Sequence, residues 1–158
     1  MDTVHVFDIA SLQNSKTPDG VWYAQNTSGQ APAPRMHHCL IAVSAPDNSS
    51  HNIYLYGGTD GAGTYFDEVW ILSLPSFQWT KVFQGNSPRY GMSCHLVGNS
   101  QMLTVGGADS INLYDNCDWE IKGVAILNVS SIIWGSVFEA NGADYRVPDQ
   151  VVSLVGGS

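Results

Sequence analysis

The stretch Asn52-Ile53-Tyr54-Leu55-Tyr56-Gly57-Gly58 constrains this chain more than any other. Branched and aromatic side chains suit a pleated, partly buried surface, so the run reads as a strand. Two consecutive glycines then stop it, because glycine holds backbone conformations that other residues reach only at a cost. A near copy, Gln101-Met102-Leu103-Thr104-Val105-Gly106-Gly107, begins 49 positions later. A strand that recurs with its terminator intact belongs to a repeated unit.

Two further landmarks recur in the same order. Pro34-Arg35 and Pro88-Arg89 lie 54 positions apart, each ahead of a glycine-terminated strand. Behind the first of these strands, Val69-Trp70-Ile71-Leu72 leads in ten positions to Trp79-Thr80-Lys81-Val82-Phe83. At an offset of 55, Val124-Ala125-Ile126-Leu127 leads in ten positions to Trp134-Gly135-Ser136-Val137-Phe138. A period of about 50 residues holding four short strands is the pattern of a β-propeller blade. The fold class read here is all-β.

Strands a to d are predicted at 36–44, 52–56, 68–74 and 78–83 in the first complete unit. In the second they fall at 91–97, 101–105, 122–129 and 133–138. Proline, asparagine, aspartate, glycine and serine fill the intervening loops and close the hairpins. Ahead of both units, Val4-His5-Val6-Phe7 aligns with Val69 and Val124, and Trp22 aligns with Trp79 and Trp134. The Val-to-Trp spacing is 18 there, which places an insertion around 14–20. The predicted division is 1–33 for strands c and d of a preceding blade, 34–87 and 88–147 for two blades, and 148–158 for the first strand of a following one.

Composition narrows the partners. Fourteen acids against six bases give a net charge of −8, with no Lys/Arg cluster. Phosphate backbones and anionic membrane surfaces need a basic stripe, so neither is expected to bind. No apolar run reaches the ~18–20 residues of a membrane span. Met1 is followed at once by strand-like alternation in place of a signal peptide, so the chain is expected to be part of something longer.

Taken together, Pro-Arg, the glycine doublet, the apolar strand c and the tryptophan after it resemble the kelch repeat over nearly the whole chain. One glycine pair alone is a weak signal; four elements in order and in register are specific. Neither the Gly-His opening nor the closing Trp-Asp of the WD-type repeat is present. Ser87-Pro88-Arg89-Tyr90-Gly91 and Cys117-Asp118-Trp119-Glu120 look like segments of kelch-containing surface proteins of filamentous fungi. The resemblance implies an incomplete kelch-type β-propeller with two full four-stranded blades and partial blades at both ends. It implies a non-catalytic scaffold that recognises a protein, or a glycan, through inter-strand loops. The alternative is a fragment of a galactose-oxidase-like copper enzyme, or another carbohydrate-active propeller, with its catalytic residues on missing blades. Such oxidases hold copper through two Tyr and two His from distant blades.

Individual residues are read on the same terms. Gly57, Gly58, Gly106 and Gly107 are expected to be backbone devices. Trp22, Trp79 and Trp134 recur at the blade period and are expected to fill the wedge between blades. His37 and His38 are strand neighbours on opposite faces, so they are not expected to chelate one ion. No cofactor motif is found. Asp109, Asp115, Asp118 and Trp119 sit in one long b–c loop and are the candidate partner contacts, with no calcium-loop spacing. Loops 59–66, 85–87 and 108–121 are expected to carry recognition.

Cys94 and Cys117 fall in one blade and form the candidate disulfide, against three reduced thiols as the other possibility. Sequons at Asn26, Asn48 and Asn128 fall in or beside predicted turns. An extracellular or cell-surface setting is therefore expected, with the cytoplasm as the alternative. Self-association through exposed blade edges is also expected.

Overall fold

A computed structural model describes residues 1–108 and 123–156 and arranges their strands in three sheets. The first sheet is an antiparallel hairpin of β1 (Thr3–Asp8) and β2 (Val21–Asn26), with Phe7 opposite Trp22. The insertion between them contains a 3-10 helix at Ile9–Gln13, whose first amides are capped by the Asp8 carboxylate. The chain then adds β3 (Ser28–Gly29), parallel to the start of the next sheet's outer strand.

The second sheet carries β4 (Cys39–Ser44), β5 (His51–Tyr56), β6 (Glu68–Leu74) and β7 (Gln78–Gln84), antiparallel and in chain order. The third repeats this with β8 (Ser93–Val97), β9 (Gln101–Val105), β10 (Val124–Asn128) and β11 (Ile133–Gly135). This is the all-β, blade-by-blade architecture that the period predicted.

Strand alternation explains the stacking. Tyr54, Tyr56, Val69 and Ile71 point from one face of the middle sheet into a core shared with Met92, Met102 and Leu127 of the third. Leu55, Trp70, Leu72 and Trp79 leave the opposite face and pack on Met1 and Val4 of the first. The middle sheet is apolar on both sides because both sides are covered. Each of these buried side chains is worth about 1.5–3 kcal/mol relative to exposure.

Apart from one- or two-residue shifts at other strand ends, four predicted features differ. The first strand of each blade starts later than predicted, at Cys39 and Ser93, because His37 (φ 56°) and Gly91 (φ 72°) are left-handed and break the extended run. Strand d of the third sheet stops at Gly135, short of the predicted Phe138. Glycine stands there in place of Thr80 and weakens the strand. The chain then leaves the ladder, and the Gln101 side chain accepts from the Glu139 amide (3.0 Å) and donates to its carbonyl (2.8 Å).

The fourth difference is the predicted strand at the end of the chain, which is instead a helix, α1 (Asp149–Val155). Pro148 begins it without an amide to lose, and Asp149 lies in its first turn, where the helix dipole favours an anion. Val151 is fully buried in the core between the second and third sheets, beside Tyr145 and Val147. The Tyr54 hydroxyl ties this segment down: it donates to the Val129 carbonyl at 2.8 Å and meets the Tyr145 hydroxyl at 2.9 Å. Burial, then the Tyr145 neighbour, push the Tyr54 phenol far above its ordinary pKa.

Candidate functional site

Antiparallel order sends the connections of each blade to two ends. In the second sheet the turns at 45–50 and 75–77 emerge at one end, and the connections at 57–67 and 85–92 at the other. The second end is the more elaborate, and its frame is built from the repeated landmarks. Arg35 Nη1 donates to the Gly57 carbonyl at 3.3 Å, and Arg89 Nη1 to the Gly106 carbonyl at 2.7 Å. The Pro-Arg step thus latches the end of strand b in both blades.

The glycines let these segments touch. Gly58 and Gly107 have φ of 98° and 88°. A Cβ on Gly58 would stand 2.9 Å from the Met36 carbonyl oxygen, and one on Gly107 2.9 Å from that of Tyr90, its repeat equivalent. Backbone bonds then close a mesh between connections. Gly58 N donates to Arg89 O (2.8 Å), Phe66 N to Gly58 O (2.9 Å) and Gly91 N to His37 O (2.8 Å), while Met36 and Thr59 exchange both bonds.

Beneath the mesh, the Arg35 guanidinium lies 3.7 Å over the Phe66 ring and pairs with Glu68 at 2.7 Å. Lys81 reaches the other Glu68 oxygen at 2.7 Å, and Trp70 Nε1 donates to Glu68 at 2.9 Å. Burial alone would raise the Glu68 pKa. The bonds from Lys81, Trp70 and Arg35, with the Arg35 charge, outweigh it and hold the carboxyl below its ordinary value. Asp67 is driven the other way, upward by burial, although its Oδ2 accepts from the Ser87 amide at 2.8 Å.

On this frame sits an aromatic patch. Tyr65 and Tyr90 are partly exposed with ring centroids 5.1 Å apart, and exposed His37 lies 6.5 Å from Tyr90. Met36 beside them is half exposed. Asp60 shapes the adjoining loop, its Oδ1 accepting from the Ala62 and Thr64 amides at 2.8 and 2.9 Å. Rings with low side-chain entropy, fixed on rigid backbone and facing solvent, are equipped for stacking and hydrogen-bonded contact with another surface. His38 lies partly buried below, its Nδ1 without a hydrogen-bond partner among the described residues, and burial lowers its pKa.

Asp109, Asp115, Asp118, Trp119 and Cys117 lie outside the described residues. Cys94 does not pair with Cys117; it is bonded to Cys39, with Cα atoms 5.6 Å apart. The physical reason is that Cys39 opens β4 and Cys94 is the second residue of β8, and these two strands lie side by side. Their separation of 55 is one residue more than the 54 between the two Pro-Arg steps, so the spacing puts them near one another on successive first strands.

Trp79 is buried against the first sheet, and Trp134 packs on Tyr56 and Phe83 of the second at 4.8 and 6.3 Å. Trp22 is 64% exposed. Asn26 and Asn48 are exposed, whereas the partly buried Asn128 turns its Oδ1 to the Ser130 and Ser131 amides at 3.0 Å. The sequence marks His37 only as half of a non-chelating pair and Tyr65 only as part of the loop 59–66; Met36 and Tyr90 are not marked as contacts. Met36 and Tyr90 could have been, as each stands two positions after a Pro-Arg proline. Among the described residues no group of three or more His, Cys, Asp or Glu could hold a metal ion, and no helix is long and apolar enough to cross a membrane.

Comparison with known proteins adds to this geometry. A family model described as the KLHDC2/KLHL20/DRC7 Kelch-repeats domain matches residues 1–144. The chain is 33% identical to a "Kelch repeat-containing protein" of Arthroderma benhamiae, covering 99% of this chain and 26% of that one. It is 27% identical to the "Host cell factor" of Drosophila melanogaster over 75% of this chain and 8% of that one. It is 33% identical to the "Rab9 effector protein with kelch motifs" of Xenopus laevis over 86% of this chain and 35% of that one. The chain therefore spans about a quarter of the fungal relative's length and about a third of the frog relative's.

Proposed function

This chain belongs to the kelch-repeat family, and on that premise we propose that it is a non-catalytic scaffold that recognises a protein partner through the connection end of its blades. The observation that carries the reading is the backbone mesh joining 36–37, 57–66 and 89–91, which fixes Met36, His37, Tyr65 and Tyr90 as one surface. Aromatic anchors on a rigid base dominate protein interfaces, and loops carried by a scaffold are where recognition concentrates. The frog relative is named as an effector of another protein, which fits a binding role. Asp109, Asp115, Asp118 and Trp119, of the b–c loop of the next blade, are proposed as further partner contacts on the sequence reading alone. A glycan is the second ligand class, for which the same rings would serve as stacking platforms.

The setting proposed is extracellular or at the cell surface, as part of a longer protein. The Cys39–Cys94 disulfide and the exposed sequons at Asn26 and Asn48 support it, because such bonds persist in oxidising compartments.

Site-specific photo-crosslinking tests the function. A benzophenone side chain at Tyr65 should capture a partner in native extract, and one at Asn48, at the opposite end, should not. The purified partner should then bind a Tyr90→Ala variant at least tenfold more weakly with the melting temperature kept. Equal capture from both ends, or unchanged affinity, would reject the assignment.

A further inference from the structure

Asp67 and Glu68 are consecutive acids at the connection end, and the fold treats them differently. Glu68 has its cations inside the chain. Arg35 pairs with it at 2.7 Å while lying 3.7 Å over the Phe66 ring, and Lys81 pairs with it at 2.7 Å. Asp67 is only 7% exposed, yet among the described residues no salt bridge reaches it. Its Oδ2 accepts from the Ser87 amide at 2.8 Å, and its Oδ1 has no hydrogen-bond partner among the described residues. Burial raises its pKa and the Glu68 charge adds to the rise, with the Ser87 bond opposing them. A buried carboxylate without a counter-charge costs stability.

The local backbone makes room for that acid. A Cβ on Gly85 would collide with Asp67 Oδ2, so only glycine fits beside the carboxylate. Asp67 lines an open cleft of about 430 Å³ between the second and third sheets. Phe83, Ile132 and Trp134 supply its apolar walls, and the exposed Asn86 and Ser87 its polar edge. Apolar walls with one placed charge, in a volume within the range of about 300–1,000 Å³, are the build of a ligand site.

We infer that this cleft takes an arginine side chain of the protein partner, with its guanidinium on Asp67 and its stem against Phe83, Ile132 and Trp134. The inference rests on the proposal that the connection end docks a protein. Asp67 asks for a cation, and the walls ask for an apolar stem that carries it. The aromatic rings beside the acid favour a planar guanidinium, which stacks on a ring and donates to a carboxylate through its N–H fork. Arg35 already makes this combination inside the chain, with Phe66 and the neighbouring acid Glu68. The net charge of −8 favours the approach of a basic segment.

Amide NMR on the full chain tests this, by titration with acetyl-Leu-Arg-Leu amide and with the same peptide carrying citrulline. The arginine peptide should shift the Asp67, Gly85, Asn86 and Ser87 amides and the Trp134 indole. It should bind at least tenfold more tightly than the citrulline peptide, which keeps the shape without the charge. Asp67→Asn retains an acceptor for the Ser87 amide and fits the room beside Gly85, so it should melt no lower than wild type. It should bind the arginine peptide at least tenfold more weakly. Asn86→Lys, at an exposed position, is the second variant and should weaken binding by setting a fixed cation at the edge of the cleft. Equal binding of the two peptides, no shift at millimolar peptide, shifts confined to other residues, or unchanged affinity in both variants would each overturn the assignment. The probe replaces the partner, so the two readings fail separately. Failed capture at Tyr65 with arginine binding intact rejects the docking surface, and capture without arginine binding rejects this cleft.

Discussion

Cys39 and Cys94, 55 residues apart in sequence, are joined across two blades and tie together the strands where those blades converge. Closing a loop of that length removes unfolded-state entropy worth about 4 kcal/mol in the chain-entropy picture. Cys94→Ser should therefore lower unfolding stability by about 2–4 kcal/mol. Cys117→Ser should leave the Cys39–Cys94 bond intact. Non-reducing peptide mapping checks the pairing directly, and a Cys94–Cys117 peptide would contradict it.

Glu68 is the acid that Arg35 and Lys81 share. The Arg35 side chain is only 1% exposed, so Glu68→Gln would leave a buried guanidinium without its counter-charge. A loss of about 3 kcal/mol is expected from urea unfolding at pH 7. The pH dependence follows from the sign of the shift. A carboxyl held below its ordinary 4.5 contributes stability above that value and loses it as pH falls through the depressed one. The wild type should thus lose more stability than Glu68→Gln below about pH 4.5. Parallel curves would show that the ion pairs carry no weight.

Tyr54 and Tyr145 make the polar tie between the middle sheet and the returning end of the chain. Tyr54→Phe removes the donor to the Val129 carbonyl and leaves buried polar groups unpaired. The expected cost is about 1–3 kcal/mol, measured by chemical denaturation. Tyr23→Phe, at a residue 55% exposed, is the control and should lie within about 0.5 kcal/mol of wild type.

His38 bears on stability at mildly acid pH. Burial holds its pKa below the ordinary 6.5, so the folded state takes up its proton later than the unfolded chain. The sign is that this stability is present above about pH 6.5 and lost as pH falls below it. The melting temperature should decline between pH 7.5 and 5.5, and His38→Gln should flatten that decline. An unchanged slope would place the origin elsewhere.

What could be read from the residues follows the repeat. Strands b and c of the first blade were legible because Gly57 and Gly58 stop one and a continuous apolar run marks the other. Where the repeat fails, so does the reading. Val137 and Phe138 match Val82 and Phe83 letter for letter, yet they lie outside the sheet, since Gly135 and the Gln101 clamp on Glu139 redirect the backbone. Val151 and Val155 are four apart, a helical spacing that a seven-residue apolar segment after proline does not separate from a strand. The aromatic patch was hidden for another reason. His37 and Tyr90 come together through backbone bonds between connections, which side-chain identity does not encode.

Hydrogen–deuterium exchange on the complex with the crosslinked partner tests the central claim most directly. Binding through the connection end predicts slowed exchange at 57–66 and 85–91, with 45–50 and 129–132 unchanged. Protection confined to those turns, with the connections exchanging as in the free protein, would contradict it.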